Sequence, residues 1–525
     1  MDVIVAELEN AHRHLRKTPD YVESRGNPSL LLGALKKNAL AQVMSYKCDG
    51  ALATLAAVSP SARLYSEITS NGRRRANLNI PLSGDVLLHE MQYNSKALQP
   101  VSNISWWLER CPLNIRATDA GVLNQILAAS LAVCEKLKSL YIGKRELDTC
   151  VPENVLCQLE DLSVAGDAAL LRAVDAASLT KLRTLRVYKC TEDTYTILCR
   201  IPSLQSLFIE GLEVSTLSMH DMAFAKSLVK MTVSTSTLGS IGGFDVCTNL
   251  HHVRFHYCSG MEALSSLAAA PHLRTITAQS VGIFQLRGLA ACAELEILEL
   301  TSCKSLRRLS PMAGAASLKK ISVQGSDVDD INGLSACGLL ETINLSDCPH
   351  LTTLSPLSGA PCLRYIYAPG TNVQDVSGLA MCPLLEVLDV SNCVNLTSLA
   401  PLAGCPNLQE LLAASSSVSD IDGLATCPEL VTVDFTGCYN LTCLSALAGA
   451  PKLAKLLASR SAVCNIDNIG MCPQLKSVDF KYCTDLHTLE PLLGAPQLSS
   501  ILAARGALGN MVCPAELLPL IKQKA

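Results

Sequence analysis

A leucine returns every 22 to 24 residues along most of this chain: Leu137, Leu159, Leu182, Leu204, Leu228, Leu250, Leu273, Leu295, Leu318, Leu340, Leu363, Leu385, Leu408, Leu430, Leu453, Leu475 and Leu498. A period held for so many turns restricts the fold more than any other feature. One unit of this length cannot bury its own apolar side, so neighbouring units must stack and share a continuous core. Length alone would suggest several globular domains for 525 residues. The repeat replaces that expectation with a single quasi-one-dimensional array.

One full cycle shows what each unit contains. Its first half places Leu385, Leu388 and Val390, then Cys393, then Leu396, Leu399 and Leu402. Its second half repeats the spacing with Leu408, Leu411, Ala413, Ser416, Val418, Ile421 and Leu424. From Cys258 a 45-residue superperiod appears, with Cys258, Cys303, Cys348, Cys393, Cys438 and Cys483 at one place of alternate units. The pattern L-x-x-L-x-L, followed by Cys or a hydroxyl residue and a short apolar return, resembles the leucine-rich repeat. The 22-residue type is similar to internalin-type and phosphatase-regulator-type repeats, and the cysteine-bearing 23-residue type to repeats of ubiquitin-ligase receptors. Their alternation is similar to protozoan leucine-rich repeat proteins, some of which carry the label of adenylate-cyclase regulators. The resemblance implies an α/β solenoid: a curved parallel β-sheet with short 3₁₀ or helical returns.

Composition agrees with such a core: 49% of residues are apolar and only 4% aromatic. A formal charge of −4 gives no footing for general nucleic-acid binding, so no nucleic-acid partner is expected. The opening MDVIVAELEN carries acids where a secretory signal has bases, and the apolar run GVLNQILAASLAVC is too short to span a bilayer. The reading is therefore cytoplasmic, with no membrane partner. A second ladder, Cys247, Cys292, Cys337, Cys382, Cys427 and Cys472, also steps by 45 residues. Members two turns apart would stand about 9–10 Å apart, beyond disulfide reach, so these read as free, buried thiols.

Residues 1–110 carry no repeat and read as a helical N-terminal region and cap; 111–510 form the solenoid; 511–525, with PAELLPLIKQKA, read as a capping helix. GRRRAN at 72–77 reads as a solvated loop, and 78–110 as irregular. Within 30–65, Leu40, Val43, Ser45, Tyr46 and Asp49, then Leu52, Leu55, Ala56, Val58 and Ser59, resemble the core of the F-box. That resemblance implies docking of a cullin-type ubiquitin-ligase adaptor through Leu40, Val43, Tyr46, Leu52, Leu55 and Val58. The stretch departs from the F-box in three places. It lacks the Leu-Pro opening, has an extra residue between Tyr46 and Asp49, and carries Pro60-Ser61-Ala62 at its end.

No catalytic motif is present, no cofactor or metal is expected, and the reading is non-enzymatic. His251, His252 and His256 fall on one strand without the carboxylates or thiols of a metal site. What remains is a surface. Side chains alternate along a strand, so the residue between the second and third core positions points outward on every unit. Down this column stand Arg186, Phe208, Arg254, Glu299, Tyr367, Asp389, Leu412, Asp434, Leu457 and Asp479, with smaller polar residues between the first few. Basic and aromatic residues occupy its start; acids alternate with exposed leucines at its end. Such a concave face is expected to hold a protein partner, as scaffold or regulatory subunit.

Overall fold

The computed structural model describes residues 138–141, 156–165, 175–503 and 512–522, together with the backbone of the strands Arg63–Ile68, Arg74–Asn79 and Asn103–Ser105. The chain divides into two compact units, Met1–Glu213 with Asp221–Leu228, and Val214–His220 with Val229–Ala525.

In the first unit, the strands Ser139–Tyr141, Asp161–Ala165, Thr184–Tyr188 and Ser206–Glu210 pair in parallel, each one repeat after the last. One return is a true α-helix, Glu192–Leu198. The Thr191 hydroxyl accepts from the Thr194 N–H at its start, and Glu192 and Asp193 lie in its first turn, where acids complement the helix dipole. The N-terminal segment departs from the sequence reading. Arg63–Ile68 and Arg74–Asn79 form an antiparallel pair, and Asn103–Ser105 joins Arg74–Asn79 to Ser139–Tyr141 in parallel. The basic run at 74–77 is therefore strand rather than loop, and part of 78–110 continues the ladder. Asn71-Gly72 between the paired strands is the hairpin signal that the arginine run obscured. Residues 1–62, expected to be helical, lie outside the described residues, as do Leu40, Val43, Tyr46, Leu52, Leu55 and Val58.

In the second unit, parallel strands follow one another from Lys230–Ser234 and His252–His256 to Ser477–Asp479 and Ser500–Leu502, each paired with the strand one repeat away. The strands Val387–Asp389, Glu410–Leu412 and Thr432–Asp434 are direct neighbours. The returns are single 3₁₀ turns, such as Leu379–Met381 and Ala400–Leu402. Pro311, Pro356, Pro401 and Pro491 fall in the first turn of theirs, where no ladder needs their missing N–H. After each strand one residue turns the chain out of the sheet with positive φ: Asn392 at 58°, Ser415 at 57°, Gly437 at 71°, Arg460 at 57° and Tyr482 at 61°.

The core is the column of repeat leucines. Leu385, Leu388, Val390, Cys393, Leu396, Leu399 and Leu402 are all 0% exposed, as are Leu408, Leu411, Ala413, Val418 and Leu424. One core position alternates in size down the stack: Leu345, Ala368, Val390, Ala413, Phe435, Ala458, Phe480. Large residues of one turn thus fill the space left by small ones of the next, the interdigitation that gives a solenoid native packing density.

Among the described residues the cysteines are free thiols, and most of those in the two ladders serve the backbone. Cys348, Cys393, Cys438 and Cys483 each donate to the carbonyl immediately after the strand of the preceding repeat, at 3.3, 3.3, 3.1 and 3.0 Å. In the other ladder Cys337, Cys382, Cys427 and Cys472 donate to return-segment carbonyls, at 3.2, 3.2, 3.2 and 3.1 Å. Burial raises the pKa of each of these thiols and leaves them poor nucleophiles.

A second link joins alternate turns away from the sheet. Asp330, Asp375 and Asp420 pair by an isolated bridge with Arg308, Thr353 and Ser398 of the turn before. One carboxylate oxygen accepts the N–H two residues on, and the other accepts a hydroxyl from that earlier turn: Ser310, Thr353 and Ser398. These are the aspartates of the repeated Asp-Ile and Asp-Val dipeptides, and their work is to hold the return in place. At the C-terminus the expected capping helix is a single 3₁₀ turn, Leu518–Leu520, with Ile521 bridging to Ile501. Pro514 and Pro519 break the segment before a longer helix can form.

Candidate functional site: the open strand face

The three-residue strands bury their middle residue and turn the other two outward, as in Val387–Asp389 and Thr432–Asp434. Strand pairing then fixes which outward residues are neighbours. In the second unit Arg254 pairs with Thr277, which pairs with Glu299; Tyr367 pairs with Asp389, then Leu412, Asp434, Leu457, Asp479 and Leu502 in single-rung steps. All eight of the column residues named from sequence in this unit occupy consecutive or near-consecutive rungs of one face. Arg186 and Phe208 are rung neighbours in the first unit; the Phe208 ring packs against Tyr188 with centroids 5.4 Å apart.

The two ends of the second unit's face differ in charge. At its start Lys230 pairs with His252, and Arg254 lies exposed on the same strand. Burial lowers the His252 pKa, and His251, Arg254, Lys230 and Arg274 lower it further, so burial first and the basic surround second both favour the neutral imidazole. His251 stacks on His272, whose ring contacts Glu294 at 2.7 Å, and His256 meets Gln279 at 3.3 Å. Glu299 is tied to Lys320 at 2.8 Å, which closes the basic region.

The middle of the face is apolar and aromatic. Tyr365 and Tyr367 flank Ile366 on one strand, with Val387 beside Tyr365, and Leu412 one rung past Asp389. Toward the end acids alternate with leucines. Asp389, Asp434 and Asp479 are half-buried, and each places Oδ1 on the N–H two residues on: Ser391 at 2.9 Å, Thr436 at 2.8 Å and Lys481 at 3.0 Å. Asn344 makes the same contact to Ser346 at 2.9 Å. The sequence reading took these acids as surface charge alone. The structure gives each a second task, finishing the strand with an Asx turn, and Asn344 shows that an amide performs it equally.

One feature of the edge escaped the sequence reading. Immediately before the strands stand Arg274, Glu296, Lys319, Glu341, Arg364 and Glu386 on successive repeats, joined through backbone hydrogen bonds from each N–H to the carbonyl one repeat earlier. Charge alternates at every step; Lys319 lies 3.2 Å from Glu296, and Arg364 pairs with Glu386. Reading this column at repeat spacing would have found it.

Stacked parallel strands one repeat apart, 3₁₀ returns and a leucine core decide the architecture. The fold is that of the leucine-rich repeat proteins. A leucine-rich repeat protein of Leptospira interrogans superposes with a TM-score of 0.52 at 16% identity, covering 76% of this chain and 98% of that one. An internalin of Listeria monocytogenes aligns at 14% identity and TM-score 0.40 over 77% of this chain and 94% of its own. A TLR13 structure solved as a complex with single-stranded RNA aligns at 16% identity and TM-score 0.46 over 71% and 62%. No family model and no curated protein sequence matches the chain. Among the described residues no helix of this leucine-rich repeat array is long and apolar enough to cross a membrane.

Proposed function

We propose that this protein is a non-enzymatic scaffold or regulatory subunit that holds a protein partner on the open strand face of its second unit. The observation that carries this reading is the face itself. Tyr365, Tyr367, Val387 and Leu412 leave partly exposed apolar and aromatic surface among spaced charges, the composition of a binding patch. The negative net charge favours a protein over a nucleic acid, and the many free thiols favour a reducing, intracellular compartment.

Co-purification from the native cell, followed by charge reversal of Asp389, Asp434 and Asp479 to lysine, tests the reading. Loss of the partner is expected from a variant that still unfolds cooperatively, at a lower temperature than wild type because lysine cannot accept the N–H of Ser391, Thr436 or Lys481; a partner retained at full yield rejects this face. The F-box resemblance at 30–65 carries a second reading, in which the same face selects substrates for a ubiquitin ligase. Retention of a cullin adaptor by the wild-type chain, lost on changing Leu40, Leu52 and Leu55 to serine, would favour it.

A further inference from the structure

The spacing of charged and apolar rungs selects the conformation of what lies on them. Asp389, Asp434 and Asp479 stand on every second strand of the ladder, with Leu412 and Leu457 on the strands between. At ordinary strand spacing, two rungs are about 9.4–9.8 Å. A chain laid along this column must present a matching group every 9–10 Å on one side, by the same rule.

Few backbone conformations do so. A β-strand rises about 3.3 Å per residue and repeats its face every second residue, so same-side groups come about 6.7 or 13 Å apart. An α-helix returns to one face after about seven residues, or 10.5 Å, and drifts out of register by roughly 2 Å over the two intervals. A polyproline II helix has three residues per turn and rises about 3.1 Å per residue, so one edge recurs every 9.3 Å and stays within about 1 Å over both intervals.

We propose, on the basis of the strand-face reading above, that this surface receives an extended polyproline II segment with a basic residue at every third position. The basic side chains meet Asp389, Asp434 and Asp479, and the two residues between each pair pass over Leu412 and Leu457. Charge complementarity fixes the sign: the central column in this region carries acids and no base, while Lys455 and Lys481 stand on the flanking columns. Each aspartate is held in place by the N–H that binds its Oδ1, and its Oδ2 has no hydrogen bond among the described residues. A polyproline II backbone has no internal hydrogen bonds and needs outside partners for its carbonyls. Hydroxyls of Ser391, Thr432, Thr436, Ser459 and Ser477 line the two sides of the column.

The test uses the full chain and two synthetic peptides of the same composition. One repeats Lys-Pro-Pro; the other carries the same lysines and prolines with lysines two and four residues apart. Isothermal titration should show the Lys-Pro-Pro peptide binding at least about tenfold more tightly, a difference of ~1.4 kcal/mol and within reach of three exposed ion pairs. Changing Asp389, Asp434 and Asp479 together to asparagine should remove that preference without moving the melting temperature, since asparagine keeps the Oδ1 contact as Asn344 does. Equal affinity for the two peptides, or a preference that survives the triple change, overturns the proposal. If the peptides do not discriminate while the lysine variants still lose the native partner, the register proposal fails and the strand-face reading stands. If the native partner is also retained, both fail.

Discussion

The Cys393 thiol and the Thr371 hydroxyl, one repeat apart, both donate to the carbonyl of Ala368, at 3.3 and 2.8 Å, and lie 3.2 Å from each other. Cys438 with Ser416 on Ala413, and Cys483 with Ser461 on Ala458, repeat the arrangement. A buried carbonyl has two acceptor sites, and here each turn supplies one donor. This is the physical content of the 45-residue superperiod.

Because either donor alone leaves the carbonyl partly satisfied, the two should be energetically coupled. Cys393→Ala and Thr371→Val are each expected to lower the unfolding free energy by about 1–2 kcal/mol, and the double variant by more than their sum. Urea denaturation of the four proteins in the cycle measures the coupling. Strict additivity would show that the shared carbonyl contributes nothing.

The aspartates that clamp the returns predict a dependence on pH. The Ser398 hydroxyl and the Asp422 N–H hold the Asp420 carboxyl below its ordinary value of 3.8. A group with a depressed folded pKa stabilises the native state above its unfolded pKa, and that contribution is lost as pH falls through the folded value. Asp420→Ala should therefore be destabilised at pH 7, by about 1 kcal/mol at this partly exposed site. The gap from wild type should narrow as pH falls below the ordinary carboxylate range. Asp420→Asn should lose less, because Asn465 holds the equivalent N–H of Asp467 at 2.8 Å one superperiod later. Melting curves from pH 7 down to the acid limit of folding decide it.

Along the sheet edge Glu341 has Lys319 on one side and Arg364 on the other. Neutral substitution should cost little, as exposed ion pairs generally do, whereas Glu341→Lys places three positive charges on consecutive rungs. A loss of about 1 kcal/mol beyond that of Glu341→Ala is expected at low salt, most of it recovered near 1 M salt, where the Debye length is about 3 Å. Thermal melts of both variants at the two ionic strengths provide the measurement.

The parts of this molecule that follow from periodicity were legible before any coordinates. Leu385, Leu408 and Leu430 mark stacked turns because burial requires it, and the outward column from Arg254 to Asp479 follows from strand alternation. The parts that depend on what one turn does to the next were harder to see. Cys393 and Thr371 were visible as alternating residues, but the carbonyl they share belongs to the backbone. The Oδ1 contact of Asp389 depends on a turn two residues long, which charge and hydropathy do not encode. Arg274 through Glu386 is readable at repeat spacing, but it lies one residue before the strands, where the alternation of strand faces gives no signal. In the N-terminal segment the charge of the arginines at 73–75 suggests an exposed loop, whereas Asn71-Gly72 between two alternating runs is a hairpin signal.

The sharing of one carbonyl by donors from adjoining turns makes the pair of turns, not the single turn, the module by which this array can be shortened or lengthened. Removing 45 residues anywhere between Cys348 and Cys483 rejoins a hydroxyl turn to a thiol turn, whereas removing 22 or 23 sets like against like. The aspartate of the outward column travels with the same module. Any duplication that the interior accepts therefore adds one more acid to the exterior at the same interval, so the interior chemistry sets the pitch of the surface.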